Sequence, residues 1–215
     1  MPRFLPPLLL IGALLMAAPS VQGQPSPQFG ITLGLNATTL EGPGNLGTRT
    51  MATGGIVMQV PISGPLSVQP QLLLSQKGTL VQSQQGGSIR YGAGYIDLPV
   101  LLRFQLPMLG PVTPYGLAGG VGGIKIFEQQ RAGGDFSLPL PNDGASFFRR
   151  TNAGLTGGLG GTFKFGRDRR INLAVRYEHG MVDVARSIDR QPYEQAPFPT
   201  TAETRTWSIM LRLGV

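Results

Sequence analysis

Residues 66–106 constrain this chain more than any other stretch. They read LSVQPQLLLSQKG, then a polar connection rich in Gly, Gln and Ser, then YGAGYIDLPVLLRFQL. Both arms alternate with period two, the mark of a strand whose two faces meet different surroundings. Leu66, Val68, Leu72 and Leu74 share one face of the first arm, with Ser67, Gln69, Gln71, Ser75 and Lys77 on the other. Ile96, Leu98, Val100, Leu102, Phe104 and Leu106 share one face of the second, opposed by Tyr95, Asp97, Pro99, Leu101, Arg103 and Gln105. Each arm reaches the roughly 9–11 residues that a tilted strand needs to cross a bilayer. Soluble strands more often stop at about 5–6. The stretch reads as a membrane-crossing β-hairpin.

Composition narrows the remaining choices. Charged residues make up 13% of the 215, and Gly is abundant at 32. A typical soluble domain carries about 25% charge. The Gly has no collagen-like period, so the long alternating strands favour a Gly-rich β protein over disorder. Cys is absent, which excludes disulfides, thiolate metal sites and a lipidated N-terminal Cys. The net charge of +7 comes from basic residues scattered over loops and turns. With no basic helical face and no interleaved aromatic platform, nucleic acid is not an expected partner.

Residues 1–23 read as a secretory signal peptide. Arg3 supplies its positive region, Leu8 to Ala18 its apolar core, and Val21-Gln22-Gly23 its small-residue cleavage site. That core is too short for a spanning helix of about 20 residues. No later apolar run is long enough either, so residence in a membrane requires a closed barrel.

Residues 24–215 then form one domain with eight candidate strands, near 28–37, 51–62, 66–77, 93–106, 113–126, 151–166, 170–182 and 205–215. Short connections at 63–65, 107–112 and 167–169 alternate with long ones at 38–50, 78–92, 127–150 and 183–204. Tight periplasmic turns and longer extracellular loops produce that alternation in outer-membrane barrels. The expected fold is therefore all-β, an eight-stranded antiparallel up-and-down transmembrane β-barrel in the cell outer membrane.

The apolar face continues through the other strands. It takes Phe29, Ile31, Leu33 and Leu35 in the first, and Ile56, Met58, Val60 and Ile62 in the second. Tyr115, Leu117 and Val121 are assigned to it in the fifth, Leu155, Leu159, Phe163 and Phe165 in the sixth. Ile171, Leu173, Val175 and Tyr177 follow in the seventh, and Trp207, Ile209, Leu211, Leu213 and Val215 in the eighth. A lipocalin-type barrel would alternate equally well with its apolar face inward. Its wet exterior, however, would be crowded with Lys and Glu. The polar face here is mostly Gly, Thr, Ser, Asn and Gln, so it points into the lumen. Tyr115, Tyr177, Phe163, Phe165 and Trp207 are expected in interfacial aromatic girdles.

The inward charges are Lys77, Asp97, Arg103, Lys164, Arg176, Glu178 and Arg212. An eight-stranded lumen is just wide enough to be filled by its own side chains. These groups are expected to form a polar network that plugs it, since unpaired buried charge is expensive. Asp97 and Arg103 lie about 20 Å apart along one strand and must find different partners. The near-repeat GLAGGVGG at 116–123 and GLTGGLGG at 154–161 lacks the GK[ST] and the βαβ setting of a phosphate loop. Glycines that let a narrow wall bend and facing groups fit are the expected reading. Glu178 and His179, with Ser187, supply the residue types of a hydrolase, but nothing arranges a triad or an oxyanion hole. No enzyme activity, metal or cofactor is expected.

These residues resemble the PorT-like outer-membrane β-barrel family, common in Bacteroidetes. Leu66 to Gly78, with Pro70 and Ser75-Gln76-Lys77, is similar to its PxLxxSQKG stretch. Tyr95-Ile96-Asp97-Leu98-Pro99 resembles its YLELP strand, Pro114-Tyr115 with Ala118-Gly119 its PYxxAG strand, and Arg176-Tyr177 with Gly180 its RYxxG strand. The resemblance implies an eight-stranded barrel in the outer membrane of a Gram-negative bacterium. Val215 stands where many such chains offer the barrel assembly machinery a terminal aromatic residue. Expected partners are outer-membrane lipids, lipopolysaccharide, that machinery, and an unidentified extracellular ligand or secretion-system component. The expected role is structural or binding, through loops 127–150 and 183–204. A small lipid hydrolase and a narrow ion pore are the alternatives.

Overall fold

The computed structural model describes residues 26–41, 46–82, 88–132, 137–139, 150–165, 169–181 and 203–214. The signal-peptide segment, Ser187 and Val215 lie outside these residues. The described residues include ten strands: β1 (Gln28–Glu41), β2 (Leu46–Gly47), β3 (Arg49–Ser63), β4 (Leu66–Gln82), β5 (Ser88–Gln105), β6 (Val112–Ala132), β7 (Ser137–Pro139), β8 (Thr151–Phe165), β9 (Arg169–Gly180) and β10 (Glu203–Gly214). Among the described residues there is no helix.

Eight strands close on themselves. The order β4-β3-β1-β10-β9-β8-β6-β5 is completed by pairing of β4 with β5. Every pairing is antiparallel, and the seam joins first and last strands from Gly30 opposite Gly214 to Glu41 opposite Glu203. Such closure leaves no sheet edge, the condition for a sheet to live in hydrocarbon. The short β2 and β7 lie off the ring and pair with β4 and β6. Two connections turn on glycines with positive φ, Gly64 at 51° and Gly110 at 59°. An L side chain is strained there, and glycine is not.

The burial pattern is that of a sheet turned inside out. Leu33, Leu98 and Leu159 are 59%, 51% and 73% exposed, whereas Arg103 is 1% exposed. Outward apolar residues and an inward polar core run through the long strands other than the first half of β6. In water, so much exposed apolar area would be a severe liability. Facing lipid tails, it is matched to its surroundings. Tyr177 and Trp207 pack at 4.9 Å between ring centroids towards the long-connection end, while Phe165 is exposed near the short-turn end.

One strand departs from the expected parity. Tyr115, Leu117 and Val121 are 3%, 6% and 6% exposed and face the lumen, not lipid. The outer face of β6 is instead Gly116, Ala118, Gly120 and Gly122, followed by Ile124 and Ile126. Hydrophobicity alone misleads here, because the larger residues are wanted inside. Tyr115 in particular serves an interior arginine, described below.

The strands also outrun the apolar alternation. β5 starts at Ser88 and β6 ends at Ala132, so Phe127–Ala132 belongs to a strand and not to the expected loop. In these extensions the strict alternation is lost, and the periodic signal fades although backbone pairing continues.

Leu98 sits mid-strand on the outer face. Leu98→Arg is expected to destabilise the barrel by about 2–4 kcal/mol, as for a cation at the bilayer midplane. Urea titration of the protein folded in phospholipid vesicles measures that loss.

Candidate functional site

Alternation sends every second residue into the lumen, and the order of the ring decides which of them meet. β4 and β9 stand diametrically opposite, four strands apart either way. From them Lys77 and Glu178 reach across the full width and pair at 2.6 Å, Nζ to Oε1. Lys77 also lies 3.3 Å from Asp97 Oδ2 on neighbouring β5, so one ammonium holds two carboxylates. Asn152 Nδ2 donates to the same Glu178 oxygen at 3.5 Å. The Lys77 ammonium stands 5.8 Å above the Tyr95 ring.

Towards the short turns the chemistry changes. Arg103 Nη1 donates to Gln59 Oε1 at 3.1 Å, and Nη2 to Thr162 Oγ1 at 2.6 Å. Both also reach Asn172 Oδ1 at 3.2 Å. The guanidinium carbon lies 3.7 Å from the centroid of the Tyr115 ring. A desolvated stack of that kind is worth about 2 kcal/mol or more. Arg212 Nη1 shares the Gln59 oxygen at 3.0 Å. Arg176 spans the barrel to Gln71 Oε1 at 2.9 Å.

Among the described residues, none of these three arginines has a carboxylate within ion-pair distance. The lumen is thus braced by two devices. A Lys–carboxylate cluster sits towards the long connections, and arginines held by neutral amides and hydroxyls sit towards the short turns. Between them lies a cavity of about 30 Å³ lined by Asp97, Arg176 and Glu178 among others. That is room for about one water molecule.

The small residues that these braces need are visible in two glycines. A Cβ at Gly123 would collide with Asp97 Oδ1, and one at Gly160 would sit 2.5 Å from Tyr115 Cζ. The two Gly-rich motifs therefore face both ways. Their inward glycines are sockets for the braces, and the outward ones lie on the lipid side.

Residues 22–186 match the family described as outer membrane protein beta-barrel domain. The chain belongs to that family. No curated protein matches the sequence. Among solved structures, the outer membrane protein OprG of Pseudomonas aeruginosa is similar at a TM-score of 0.52 and 16% identity, covering 90% of this chain and 97% of its own. Ail of Yersinia pestis, crystallised with the heparin analogue sucrose octasulfate, gives 0.43 and 12%, over 89% and 100%. Neisserial surface protein A gives 0.43 and 12%, over 87% and 98%. OprG supports the fold of this outer-membrane barrel and nothing finer.

In the family's barrel, then, the short turns face the periplasm and the long connections the exterior. Of the seven expected lumen charges, Lys77, Asp97 and Glu178 come together, and Arg103 and Arg212 meet through Gln59. Asp97 and Arg103 do find different partners. Lys164 is exposed near the periplasmic end of β8 and joins neither group. His179 lies outward, opposite Leu155 and Arg205 in register.

The sequence reading missed Lys125 and Glu128, which pair at 2.6 Å with both side chains nearly buried. Three residues apart, they should face opposite sides of a regular strand. A bulge lets them share one, since Gly94 opposes Phe127 while Tyr95 opposes Lys125. The neutral holders Gln59, Thr162 and Asn172 gave no signal beyond their inward parity.

Replacing Lys77 by Met strands two carboxylates. A loss of about 3–5 kcal/mol is expected. The triple variant K77M/D97N/E178Q should recover most of it in the same urea titration. Gly160→Ala should cost about 1–3 kcal/mol by forcing Tyr115 off Arg103.

Proposed function

We propose that this outer-membrane barrel is occluded and works as a structural or binding protein through its extracellular connections, chiefly residues 127–150 and 183–204. The observation that carries this reading is the set of braces crossing the lumen at several levels. A solute would have to break Lys77–Glu178, Arg176–Gln71 and the Arg103 cluster in turn. Each is a charge-assisted contact in a poorly hydrated interior, where breaking it is costly. What remains for recognition is the exterior end, where β4, β5 and β6 run on and β2 and β7 add to them.

Catalysis is not part of the proposal. His179 lies outward opposite Leu155 and Arg205, and Ser187 lies outside the described residues. The finer assignments follow from the sequence: export by the signal peptide at 1–23, insertion by the barrel assembly machinery, and kinship with PorT-like barrels of Bacteroidetes. Lipopolysaccharide is the expected lipid neighbour, and a surface ligand or secretion component the expected protein partner.

Two measurements test the reading together. Full-length protein in planar bilayers should give no conductance steps, and intact cells treated with a surface crosslinker should give adducts. Replacing 140–149 and 183–201 with short Gly-Ser linkers should abolish the adducts while the barrel still folds. Steady ion currents in the wild type would instead make it a pore, and adducts indifferent to loop removal would overturn the role of the loops.

A further inference from the structure

The periplasmic half of the lumen carries more positive charge than the residues around it offset. Arg103, Arg212 and Arg176 are 1%, 5% and 9% exposed, and in each the Nε donor has no hydrogen-bond partner among the described residues. Arg103 and Arg212 donate to one and the same oxygen, Gln59 Oε1, which holds two cations side by side. Their other acceptors are neutral amide and hydroxyl oxygens. Two further cations stand at the mouth. Lys164 on β8 and Arg170 on β9 are directly opposite in register, and both are exposed. Like charges so placed weaken strand pairing unless something offsets them. Arg170 also donates to Gln28 Oε1 on β1 at 3.1 Å, and so lies across the end of β10.

The carboxylates are distributed the other way. Asp97, Glu128 and Glu178 lie in the exterior half, and Glu41 and Glu203 pair at its rim. Among the described residues no Asp or Glu lies nearer the periplasm; Asp168, in the β8–β9 turn, is outside those residues. The wall beside Arg212 is bare. Gly30 and Gly214 oppose each other in register, two residues nearer the periplasm than Arg212 and on the same inward face. A Cβ at Gly30 would stand 3.1 Å from Arg212 Nε, so this unpartnered donor is turned towards the glycine floor. A Cβ at Gly214 would meet nothing nearer than 3.9 Å. An ion arriving from the periplasm meets Lys164 and Arg170 first and then, over two glycines, Arg212.

Desolvated cations without a countercharge are costly, and guanidinium hydrogen bonds to an anion are among the strong ones. We propose that the periplasmic half of the lumen is an anion site, occupied by one small inorganic anion of the chloride or phosphate type. Its ligands are the guanidinium of Arg212 and that of Arg103 beside it, and Lys164 and Arg170 steer it in. A lumen filled by its own side chains admits nothing larger. The braces on the exterior side stop the ion there, so the site is a blind pocket and not a conduction path. It is independent of the loop-based role.

The test is urea titration of the full-length protein folded in phosphatidylcholine vesicles, at fixed ionic strength, with chloride or phosphate replacing the bulky anion gluconate. An anion that binds only the folded state raises stability with its concentration. The wild-type midpoint is expected to rise with chloride or phosphate, and whichever acts at the lower concentration is the occupant. Arg212→Gln should need roughly tenfold more anion for the same rise. Gly214→Glu places a carboxylate opposite Arg170 and beside Arg212; it should raise the midpoint in gluconate and abolish the anion dependence. Asp168→Asn should leave the dependence unchanged. Heat-modifiable mobility on gels reports folding of each variant. Equal wild-type midpoints in all three salts would overturn the proposal, as would the same anion dependence in wild type and a folded Gly214→Glu. A dependence gained only in Asp168→Asn would make Asp168 the countercharge and overturn it equally.

Discussion

In hydrocarbon there is no water to satisfy an exposed peptide group, and this single condition organises the chain. Each unpaired N–H or C=O would cost several kcal/mol. A sheet can meet the demand only by joining its two edges, and β1 and β10 do so through twelve paired positions. Closure at eight strands then fixes how narrow the interior is. From that width follows the choice of what fills it.

The interior solves a problem of charge without solvent. Lys77 is neutralised by Asp97 and Glu178 in the ordinary way. The arginines nearer the periplasm are not neutralised at all by the described residues; they are surrounded by carbonyl and hydroxyl oxygens and, for Arg103, by an aromatic face. Guanidinium tolerates this because its charge is delocalised over five donors and it is less strongly hydrated than an ammonium. A lysine at 103 could not make the same set of contacts. The contacts that cross the lumen are thus also those that brace the wall from inside.

Much of this was legible from alternation. The hairpin of Leu66 to Leu106 has its greasy and polar sides where the period assigns them, and the alternation of connection lengths foretold the ring. Failures came where size or backbone irregularity overrode the pattern. In β6 glycine and alanine face the lipid while Tyr115 turns inward, which inverts a rule based on side-chain hydrophobicity. Lys125 and Glu128 escaped because one inserted residue changes parity, and no residue type announces a bulge. Lys164 shows the converse: its parity is inward, but it lies too near the rim to be enclosed. Which amides would hold which arginine depends on the ring order and the stagger, and neither is written in local sequence.

The wall is not of even height. β4, β5 and β6 contain 17, 18 and 21 residues, while β9 and β10 contain 12 each. An excess of five residues or more amounts to about 16 Å of additional ribbon. Hydrogen bonds run the length of that ribbon, so it is stiff where a plain loop would be slack. The cell surface beyond an outer membrane is a thicket of sugar chains, and a slack loop would lie buried within it. A braced mast on one flank of the barrel, built from β4, β5 and β6, is a stiff feature at the height where such a thicket begins. It also gives the molecule a front and a back to anything arriving from outside.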